Sequence, residues 1–421
     1  MAEFITIEGG HKLNGTVVVS GAKNATVALI PAIVLADGPV TVYGVPDISD
    51  VEALGVLLRE LNCDVTINED SLIVNPSNLK NKPLVGEAVD KLRASYYLMG
   101  ALLGKCNKVE MKMPGGCFLG PRPIDLHIKG FEALGATVEY QDGTHIIKAD
   151  KLIGAKIYLD FASVGATINI MLAAVKAEGK TIIENAAKEP EIIDVVNLLT
   201  KMGAKIRGAG TDTITIEGVE SLNGCNHEII PDRIEAGTFL VIAAAAGEKV
   251  IVQNVIPQHL EAVISKLKEI GVQMEIVGDS VIVYGGIENL KPADIRTQVY
   301  PGFATDLQQP VTALLTQADG KSQVVETIYP ERFMHCEQLN RMGANIEQDE
   351  SMAYINGRTK LTGSRVYATD LRCGAALIVA ALMAEGVTEI GNVYHIDRGY
   401  ENIDHKLVSL GARITRRQIE E

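Results

Sequence analysis

Two kinds of helical segment alternate along the chain in the pattern of apolar and polar positions. One kind is amphipathic: in residues 192–203, apolar side chains recur at steps of three from Ile193 to Met202, and Gly203 follows. Apolar residues at this spacing share one face of a helix, and glycine readily adopts the left-handed conformation that ends a helix. The other kind, such as residues 166–179, is apolar on every side, which predicts a fully buried helix.

The amphipathic segment occurs six times and is followed each time by a small-residue turn and a strand pattern. The turns begin at positions 61, 134, 202, 270, 342 and 410, so the steps are 73, 68, 68, 72 and 68 residues. A nearly fixed period indicates a repeated supersecondary unit. Each repeat is predicted to contain a buried helix, a strand, an amphipathic helix and two or three further strands. The six repeats predict an α/β protein with two domains of three repeats each.

The sixth repeat lacks closing strands, and the N-terminus supplies a match for them. Residues 3–21 resemble residues 212–232, which close the third repeat. We therefore expect residues 1 to about 20 to complete the sixth repeat. The predicted domains are residues 21–229, with repeats one to three, and residues 1–20 together with 230–421, with repeats four to six.

Composition and charge exclude several classes of function. Of the 421 residues 47% are hydrophobic and 22% are charged, as in an ordinary globular protein. The net charge of -14 argues against a nucleic-acid partner, although a few cations in a cleft can still hold a small anion.

No basic leader or membrane-length apolar run is found, which predicts a cytoplasmic protein without membrane insertion. The six cysteines have no paired spacing and are expected to be reduced thiols, and no metal-ligand spacing is seen. The sequence identifies no protein partners.

Cations precede four of the six buried helices. They are Lys23, Arg93, Arg233 and Arg372. The N-terminus of a helix carries unpaired N–H groups and a partial positive charge, so a cation there is unfavourable unless something negative binds. Aspartates also lie at these starts, at Asp232, Asp306 and Asp370, and helix capping explains them as well as catalysis does.

A second candidate for chemistry is the segment MPGGCFLGPRPIDLH at 113–127. Three glycines and three prolines predict a loop, and long loops on a scaffold commonly carry function. Cys117 lies in the middle of this loop, with Arg122 close behind it. A thiol beside fixed cations has a lowered pKa and serves as an acid or a nucleophile. A passive loop thiol is the alternative.

Further motifs follow one another over nearly the whole chain. They are SGAKNA at 20–25, LRAS at 92–95, SVGAT at 163–167, ENAAKEPEIID at 184–194, IIPDRIEAGTF at 229–239, PGFATDLQ at 301–308, ERFMH at 331–335, ATDLR at 368–372 and DRGYE at 397–401. Together with the cysteine loop and its run RPIDLH, these motifs resemble the enolpyruvyl transferases. The resemblance implies a fold of two inverted α/β barrels, each built from three repeats of a strand-helix-strand-helix-strand unit.

The resemblance also implies an activity: transfer of the enolpyruvyl group of phosphoenolpyruvate to the 3-hydroxyl of UDP-N-acetylglucosamine, the first committed step of peptidoglycan synthesis. No cofactor is implied. The implied catalytic residues are Cys117 as proton donor, Asp306 at the sugar hydroxyl, Lys23 and Arg398. The implied phosphoenolpyruvate-binding residues are Lys23, Asn24, Arg122, Arg372 and Arg398. The implied UDP-N-acetylglucosamine-binding residues are Arg93, Arg122, Pro123, Ile124, Asp125, Leu126, His127, Ser163, Val164, Gly165, Asp306 and Ile328.

Three alternatives stay open. The sister branch of the family uses shikimate 3-phosphate and lacks both the cysteine loop and the RPIDLH run. A non-catalytic sugar-nucleotide binder on the same scaffold would be expected to lack Cys117, Asp306 or Lys23, which are all present. A nucleic-acid end-processing enzyme of related repeats is disfavoured by the net charge.

Some positions depart from the commonest family pattern. A familiar lysine near the nucleotide is replaced by Phe161 or its neighbour. The run IYPERF at 328–333 differs from the usual one, which changes the carboxylate expected near Arg332. The stretches LRASYYLMG at 92–100 and LNGC at 222–225 resemble the second of two copies that some bacteria carry.

Overall fold

The structure, a computed structural model, describes residues 2–113 and 124–419. The chain divides into two compact units. We call residues 21–113 and 124–230 the Lys23 lobe, and residues 2–20 with 231–419 the Asp306 lobe.

The first strands of the chain belong to the Asp306 lobe. They are β1 (Ala2–Glu8) and β2 (Leu13–Val18).

The Lys23 lobe contains three successive repeats. The first has α1 (Lys23–Ile33), β3 (Val40–Tyr43), α2 (Ser49–Glu60), β4 (Asp64–Ile67), β5 (Ser71–Asn75) and α3 (Glu87–Lys91). The second has a 3₁₀ turn (Arg93–Tyr96), α4 (Tyr97–Cys106), β6 (Lys108–Lys112), α5 (Asp125–Ala133), β7 (Thr137–Gln141), β8 (Thr144–Lys148) and β9 (Lys156–Tyr158). The third has α6 (Val164–Ala174), β10 (Lys180–Glu184), α7 (Pro190–Lys201), β11 (Lys205–Arg207), β12 (Thr213–Glu217) and β13 (Asn226–Glu228).

The Asp306 lobe contains the other three repeats. The fourth has α8 (Arg233–Ala246), β14 (Gly247–Gln253), a 3₁₀ turn (Pro257–Leu260), α9 (Glu261–Ile270), β15 (Gln273–Val277), β16 (Ser280–Tyr284) and β17 (Asp294–Arg296). The fifth has α10 (Thr305–Leu315), β18 (Lys321–Val325), α11 (Met334–Arg341), β19 (Ile346–Asp349), β20 (Met352–Asn356) and β21 (Arg365–Tyr367). The sixth has α12 (Leu371–Met383), β22 (Val387–Gly391), α13 (Tyr394–Asp397), α14 (Ile403–Ser409) and β23 (Arg413–Ile419).

Within each lobe the repeats exchange strands. In the Lys23 lobe β13, the last strand of the third repeat, pairs in parallel with β3 of the first, and β9 of the second pairs with β10 of the third. In the Asp306 lobe β17 pairs with β18 and β21 pairs with β22 in the same way. A parallel edge strand from the neighbouring repeat covers backbone groups that would otherwise be an open sheet edge.

The two N-terminal strands close the sixth repeat. As expected, β1 completes the sixth repeat, because it lies between β22 and β23 and pairs antiparallel with both. β2 is the last strand of the same repeat and pairs in parallel with β14 of the fourth repeat, as β13 of the third repeat pairs with β3 of the first. The pairing of β2 is the same strand exchange seen at β17 and β21.

The helices that are apolar on every side lie in the core of each lobe. In α6 every residue from Gly165 to Ala174 is buried, and in α12 every residue from Leu371 to Leu382 is buried. Close packing between such helices needs small residues. A Cβ on Gly100 of α4 would lie 2.2 Å from the main-chain oxygen of Asn169 in α6. Only glycine fits at this crossing.

Candidate functional site

Asp306 lies in the first turn of α10, where two arginines hold its carboxylate. Arg332 donates from Nη1 to Oδ1 at 2.7 Å, and Arg372 donates from Nη2 to Oδ2 at 3.2 Å. The two arginine side chains are 4% and 2% exposed, whereas that of Asp306 is 23% exposed. The carboxylate is therefore fixed from behind by buried cations while one part of it stays accessible.

The two arginines carry more hydrogen-bond donors than the described residues satisfy. Nε of Arg332 and Nη1 of Arg372 are buried and have no acceptor among residues 2–113 and 124–419. Burial alone would lower the pKa of each guanidinium, but nearby groups outweigh it: Asp306 and Asp370 raise the pKa of Arg332, and Tyr400 and Asp306 raise that of Arg372. A buried donor without an acceptor costs free energy, so these two atoms favour an anion or a water.

Asp232 and Asp370, the other two aspartates at helix starts, cap their helices. Asp232 accepts from the N–H groups of Ile234 and Glu235, at 2.8 and 3.0 Å. Asp370 accepts from those of Arg372 and Cys373, at 2.9 and 3.1 Å. The N-cap of α10 is Ala304, whose methyl group cannot accept a hydrogen bond.

Capping and catalysis were equally good sequence explanations for all three aspartates. The structure divides them: Asp232 and Asp370 are caps, whereas Asp306 binds arginines.

Glu326, which the sequence analysis did not single out, orders the backbone beside this carboxylate. It is 1% exposed and accepts from the hydroxyl groups of Thr297 and Thr305, at 2.7 and 3.0 Å. It also accepts from the N–H of Ile328 at 3.0 Å. Because that N–H is already bonded, the implied main-chain contact of Ile328 to a sugar nucleotide would have to use its carbonyl.

Arg332 lies in the run 328–333, which differs from the usual family pattern and for which a different neighbouring carboxylate was expected. Arg332 binds the carboxylate of Asp306, and Thr305 accepts a further bond from Arg332 at 3.1 Å. The buried ring of His335 is near enough to Asp370 and Arg332 for both to affect its pKa: Asp370 raises it and Arg332 lowers it. Burial is the main reason that the pKa of His335 falls to about 3, so this imidazole is neutral at pH 7.

Arg398 follows α13 directly and is partly exposed. Burial lowers the pKa of the nearby His395 imidazole, Asp370 raises it in part, and Arg398 makes a smaller contribution that lowers it. Nδ1 of His395 is buried and has no partner among the described residues. His395 was missed at the sequence level, because a lone histidine three residues before Arg398 has no spacing that marks it as functional.

Lys23 is the first residue of α1, and its ammonium group lies 3.3 Å from Oδ2 of Asp50. Its side chain is 15% exposed, and that of Asp50 is 3% exposed. Asn24 follows in the same helix turn and is partly exposed. The negative partner expected for a cation at a helix start is therefore supplied, at least in part, by the protein itself. Binding of an external anion at Lys23 stays a prediction.

His127 is held by Asn169, a buried amide in the mostly apolar helix α6. Oδ1 of Asn169 accepts from the N–H of Gly100 at 2.7 Å, which fixes the orientation of the amide. Its NH₂ group donates to the carbonyl of Tyr96 and to Nδ1 of His127, both at 3.0 Å. Nδ1 must therefore be an acceptor, and the imidazole carries its proton on Nε2.

The charge of His127 follows from the same surroundings. Burial, with a smaller contribution from Arg93, lowers the pKa of His127 to about 3. The imidazole is thus neutral at pH 7 and offers an Nε2–H donor. A polar residue inside an apolar helix was the sequence signal that could have identified Asn169, because a buried amide needs partners.

The remaining predicted residues of the Lys23 lobe lie at two helix starts. Ser163 caps α6, and its Oγ accepts from the N–H of Ala166 at 3.1 Å. Val164 follows it in α6, and a Cβ on Gly165 would lie 2.4 Å from Oη of Tyr96. Gly165 is therefore needed for close packing.

At the other start, α5 begins at Asp125, so the expectation of a loop through residue 127 was wrong for its last three residues. Ile124 is buried, Leu126 is half-buried and Asp125 is exposed. A ligand contact of Ile124 would have to use its backbone.

Cys117, Arg122 and Pro123 lie outside the described residues, so their predicted roles stay predictions. The other cysteines are free thiols, and burial raises the pKa of each. The pKa reaches about 11 at Cys63 and about 12 at Cys336 and Cys373. None of these five is suited to be an acid or a nucleophile at neutral pH.

Neither a metal centre nor a membrane-spanning helix is found in the described part of the chain. No group of three or more His, Cys, Asp or Glu side chains there is arranged to hold a metal ion. No helix in residues 2–113 or 124–419 is long and apolar enough to cross a membrane.

Comparison with known proteins gives consistent similarities. Residues 7–407 match the family described as EPSP synthase (3-phosphoshikimate 1-carboxyvinyltransferase). The chain is 60% identical over 418 residues to UDP-N-acetylglucosamine 1-carboxyvinyltransferase 2 of Bacillus cereus, covering 99% of this chain and 97% of that protein. It is 59% identical over 416 residues to the protein of that name from Listeria monocytogenes serovar 1/2a, covering 99% of this chain and 98% of the other.

Two solved structures share the fold. The enolpyruvyl transferase NikO from Streptomyces tendae superposes with a TM-score of 0.90 at 25% identity, with 99% of each chain covered. EPSP synthase from Acinetobacter baumannii superposes with a TM-score of 0.73 at 20% identity, with 99% of this chain and all of that chain covered. These structures confirm the predicted fold class.

Proposed function

This chain belongs to the EPSP synthase family of carboxyvinyltransferases, and we propose that it transfers the enolpyruvyl group of phosphoenolpyruvate to the 3-hydroxyl of UDP-N-acetylglucosamine. The reaction releases phosphate and is the first committed step of peptidoglycan synthesis. The observation that carries the choice of acceptor is the match over almost the entire chain to two UDP-N-acetylglucosamine 1-carboxyvinyltransferases. The rival acceptor, shikimate 3-phosphate, is named by the family as a whole.

The proposed chemistry is an addition followed by an elimination. The sugar hydroxyl oxygen bonds to C2 of phosphoenolpyruvate, its proton passes to Asp306, and C3 takes a proton from Cys117. The C2–O bond to phosphate then breaks and C3 returns a proton to the thiolate of Cys117, which leaves phosphate and an enol ether. General acid–base groups of this kind contribute roughly 10²–10⁴-fold to a rate.

The accessible carboxylate of Asp306 supports its role at the hydroxyl. Arg332 and Arg372 hold the carboxylate in one orientation, so little reorganisation is needed when the hydroxyl approaches. The buried Nη1 donor of Arg372 supports the proposed contact of this arginine with phosphoenolpyruvate. Lys23, Asn24, Arg122 and Arg398 complete the proposed contacts to the same substrate.

For the sugar nucleotide we propose Arg93, the Nε2–H of His127, and the main chain at Ser163 to Gly165. A neutral imidazole held by Asn169 is a fixed donor, which suits recognition of a carbonyl or phosphate oxygen. Arg122 to Leu126 and the carbonyl of Ile328 are further proposed contacts. The five free thiols of the described chain support a reducing compartment, and we place the enzyme in the cytoplasm.

The test is phosphate release on mixing the protein with phosphoenolpyruvate and UDP-N-acetylglucosamine. We expect release to require the UDP-sugar and to fall by at least about 100-fold in Cys117→Ser. Cys106→Ser is the matched control, because Cys106 is a half-buried thiol whose pKa burial raises. Release with shikimate 3-phosphate alone would replace the acceptor, and binding of the UDP-sugar without any release would favour the non-catalytic binder.

A further inference from the structure

Arg416, on the last strand of the chain, lies directly behind the segment that carries Arg398. Its guanidinium forms a two-pronged contact with Asp397: Nη1 donates to Oδ2 at 2.9 Å and Nη2 donates to Oδ1 at 2.7 Å. Its Nε donates to Oδ2 of Asp404 at 2.8 Å. One side chain thus binds the two ends of residues 397–404, which we call the Arg398 turn.

The strand that carries Arg416 is held in place by pairing along its whole length. Every residue of β23 from Arg413 to Ile419 pairs with β1, and Arg416 stands opposite Ile5. Glu3, also on β1, lies 3.7 Å from the guanidinium. The guanidinium is planar and cannot rotate between its two carboxylates without breaking both contacts, so the fork fixes orientation as well as distance.

The electrostatics agree with a permanent contact. Hydrogen bonds to Asp397 and Asp404 raise the pKa of Arg416 above its ordinary value, although partial burial acts in the opposite direction. At Asp404 burial alone would raise the pKa, but Arg416 lowers it. Arg416 and Asp404 are therefore both charged at neutral pH.

The Arg398 turn carries two groups of the candidate site. Arg398 comes directly after Asp397, with no intervening residue to absorb movement. Tyr400 is 1% exposed, its hydroxyl lies 2.8 Å from that of Thr238, and the guanidinium of Arg372 lies over its ring at 5.2 Å from the centroid. Movement of the turn would thus displace Arg398 and loosen the packing of Arg372 together.

Lys406 makes a second contact to the same turn. The ammonium group of Lys406 lies 3.8 Å from Glu401 of the turn and donates to Ser20 and Glu235 elsewhere in the lobe. Lys406 would keep the turn attached to the lobe if Arg416 were altered. We therefore expect loss of the Arg416 fork to loosen the turn rather than unfold it.

We propose that Arg416 is a positioning residue, which sets Arg398 for contact with the anionic substrate by holding the Arg398 turn at Asp397 and Asp404. This inference rests on the proposed function, because it assigns Arg398 to phosphoenolpyruvate. A purely structural salt bridge is the competing explanation. It predicts lower stability and no selective effect on one substrate.

The experiment compares Arg416→Lys with Arg413→Lys in the full-length protein. Lysine keeps the charge but cannot form a fork. Arg413 is the matched control, because it lies on the same strand, is exposed and forms a single contact with Glu8 at 3.3 Å. We expect Arg416→Lys to raise the KM for phosphoenolpyruvate by about 10-fold and to change that for the UDP-sugar by less than about 2-fold, since small misplacements of substrate-positioning groups are costly. Arg413→Lys should change neither.

A second variant links the effect to Arg398. If Arg416 acts through Arg398, then Arg416→Lys added to Arg398→Lys should raise the KM for phosphoenolpyruvate no further. A melting temperature is recorded for each variant. The inference is overturned if Arg416→Lys behaves like Arg413→Lys, or if both KM values and the melting temperature change together. Absence of phosphate release by the unaltered protein would instead overturn the proposed function.

Discussion

The two lobes place cations at the starts of their buried helices in different ways. In the Lys23 lobe the cation of α1 is a lysine, paired with the carboxylate of Asp50. In the Asp306 lobe the cation of α12 is Arg372, which is buried and bound to Asp306, with the ring of Tyr400 beneath it. The starts of corresponding helices thus carry the point charge of an ammonium group in one lobe and a fixed planar group in the other.

This contrast shows how one repeat can serve two purposes. A lysine ammonium on a four-carbon stem can follow a moving anion, whereas a guanidinium held on both sides presents donors in one fixed direction. A fixed array needs little rearrangement when charge develops in a reaction. We therefore expect changes in the Asp306 lobe to affect the chemical step most, and changes at Lys23 and Asp50 to affect binding.

The largest loss of activity is expected at Asp306. Asp306→Asn keeps the shape but removes the proton acceptor, and it should lower kcat for phosphate release by at least about 100-fold. Asp50→Asn in the Lys23 lobe should change kcat by less than about 10-fold, because it leaves the Lys23 side chain itself in place. Initial rates at saturating substrates measure both. Equal losses of kcat would remove the contrast between the lobes.

The second prediction concerns glycines at helix crossings. In Gly100→Ala the added Cβ would lie 2.2 Å from the main-chain oxygen of Asn169, which cannot move without shifting α6. In Gly237→Ala it would lie 2.5 Å from Cδ1 of Leu307, the end of a flexible side chain. We expect losses of about 3 and about 1 kcal/mol. Urea unfolding of the two variants measures them, and a larger loss for Gly237→Ala would contradict this interpretation of the packing.

The third prediction concerns two buried groups, Glu235 and His127, that make stability depend on pH in opposite directions. Burial raises the pKa of Glu235 in the Asp306 lobe to about 7, from an ordinary value of 4.5, although Lys406 opposes the shift. Between these two values the folded protein holds a proton that the unfolded chain has released, so stability falls as the pH rises from 4.5 to 7. For His127 in the Lys23 lobe the folded pKa of about 3 lies below 6.5, so stability falls as the pH drops from 6.5 to 3.

The measurement is the melting temperature of the unaltered protein and of Glu235→Gln at pH 5 and pH 7. Glu235 is expected to lower the stability of the unaltered protein by at most about 3 kcal/mol between pH 5 and pH 7. The variant should not show this part of the decrease. Glu248→Gln, at an exposed position, is the control. An identical pH dependence in the variant and the unaltered protein would show that Glu235 does not take up a proton in this range.

The last prediction concerns the helix caps, where no variant is expected to cost more than about 2 kcal/mol. Ser163 accepts from one N–H group of α6, whereas Asp370 accepts from two of α12. Ser163→Ala should cost about 1 kcal/mol and Asp370→Ala about 2 kcal/mol. Thermal unfolding without ligands compares the two. A loss at Ser163 as large as at Asp370 would mean that its hydroxyl does more than cap the helix.

Local patterns in the amino-acid sequence were enough to establish the repeat and most of its elements. The periods of the apolar residues identify buried helices, amphipathic helices and strands, because these patterns are local and each repeat shows them again. The match between residues 3–21 and 212–232 correctly placed β1 in the sixth repeat. It did not predict that β2 pairs with β14, because exchange of strands between repeats depends on which sheet edges meet in the folded lobe.

Which charged residues act together was settled by the folded chain alone. Asp232, Asp306 and Asp370 occupy similar places at helix starts, yet two cap helices and one binds arginines that lie 26 and 66 positions away. The orientation of His127 likewise depends on Asn169, which is 42 positions from it in the chain. Local sequence patterns report the neighbours within a helix turn or a strand. Contacts between distant side chains form only when packed helices bring them within hydrogen-bonding distance, and those contacts fix the charges and donors of the candidate site.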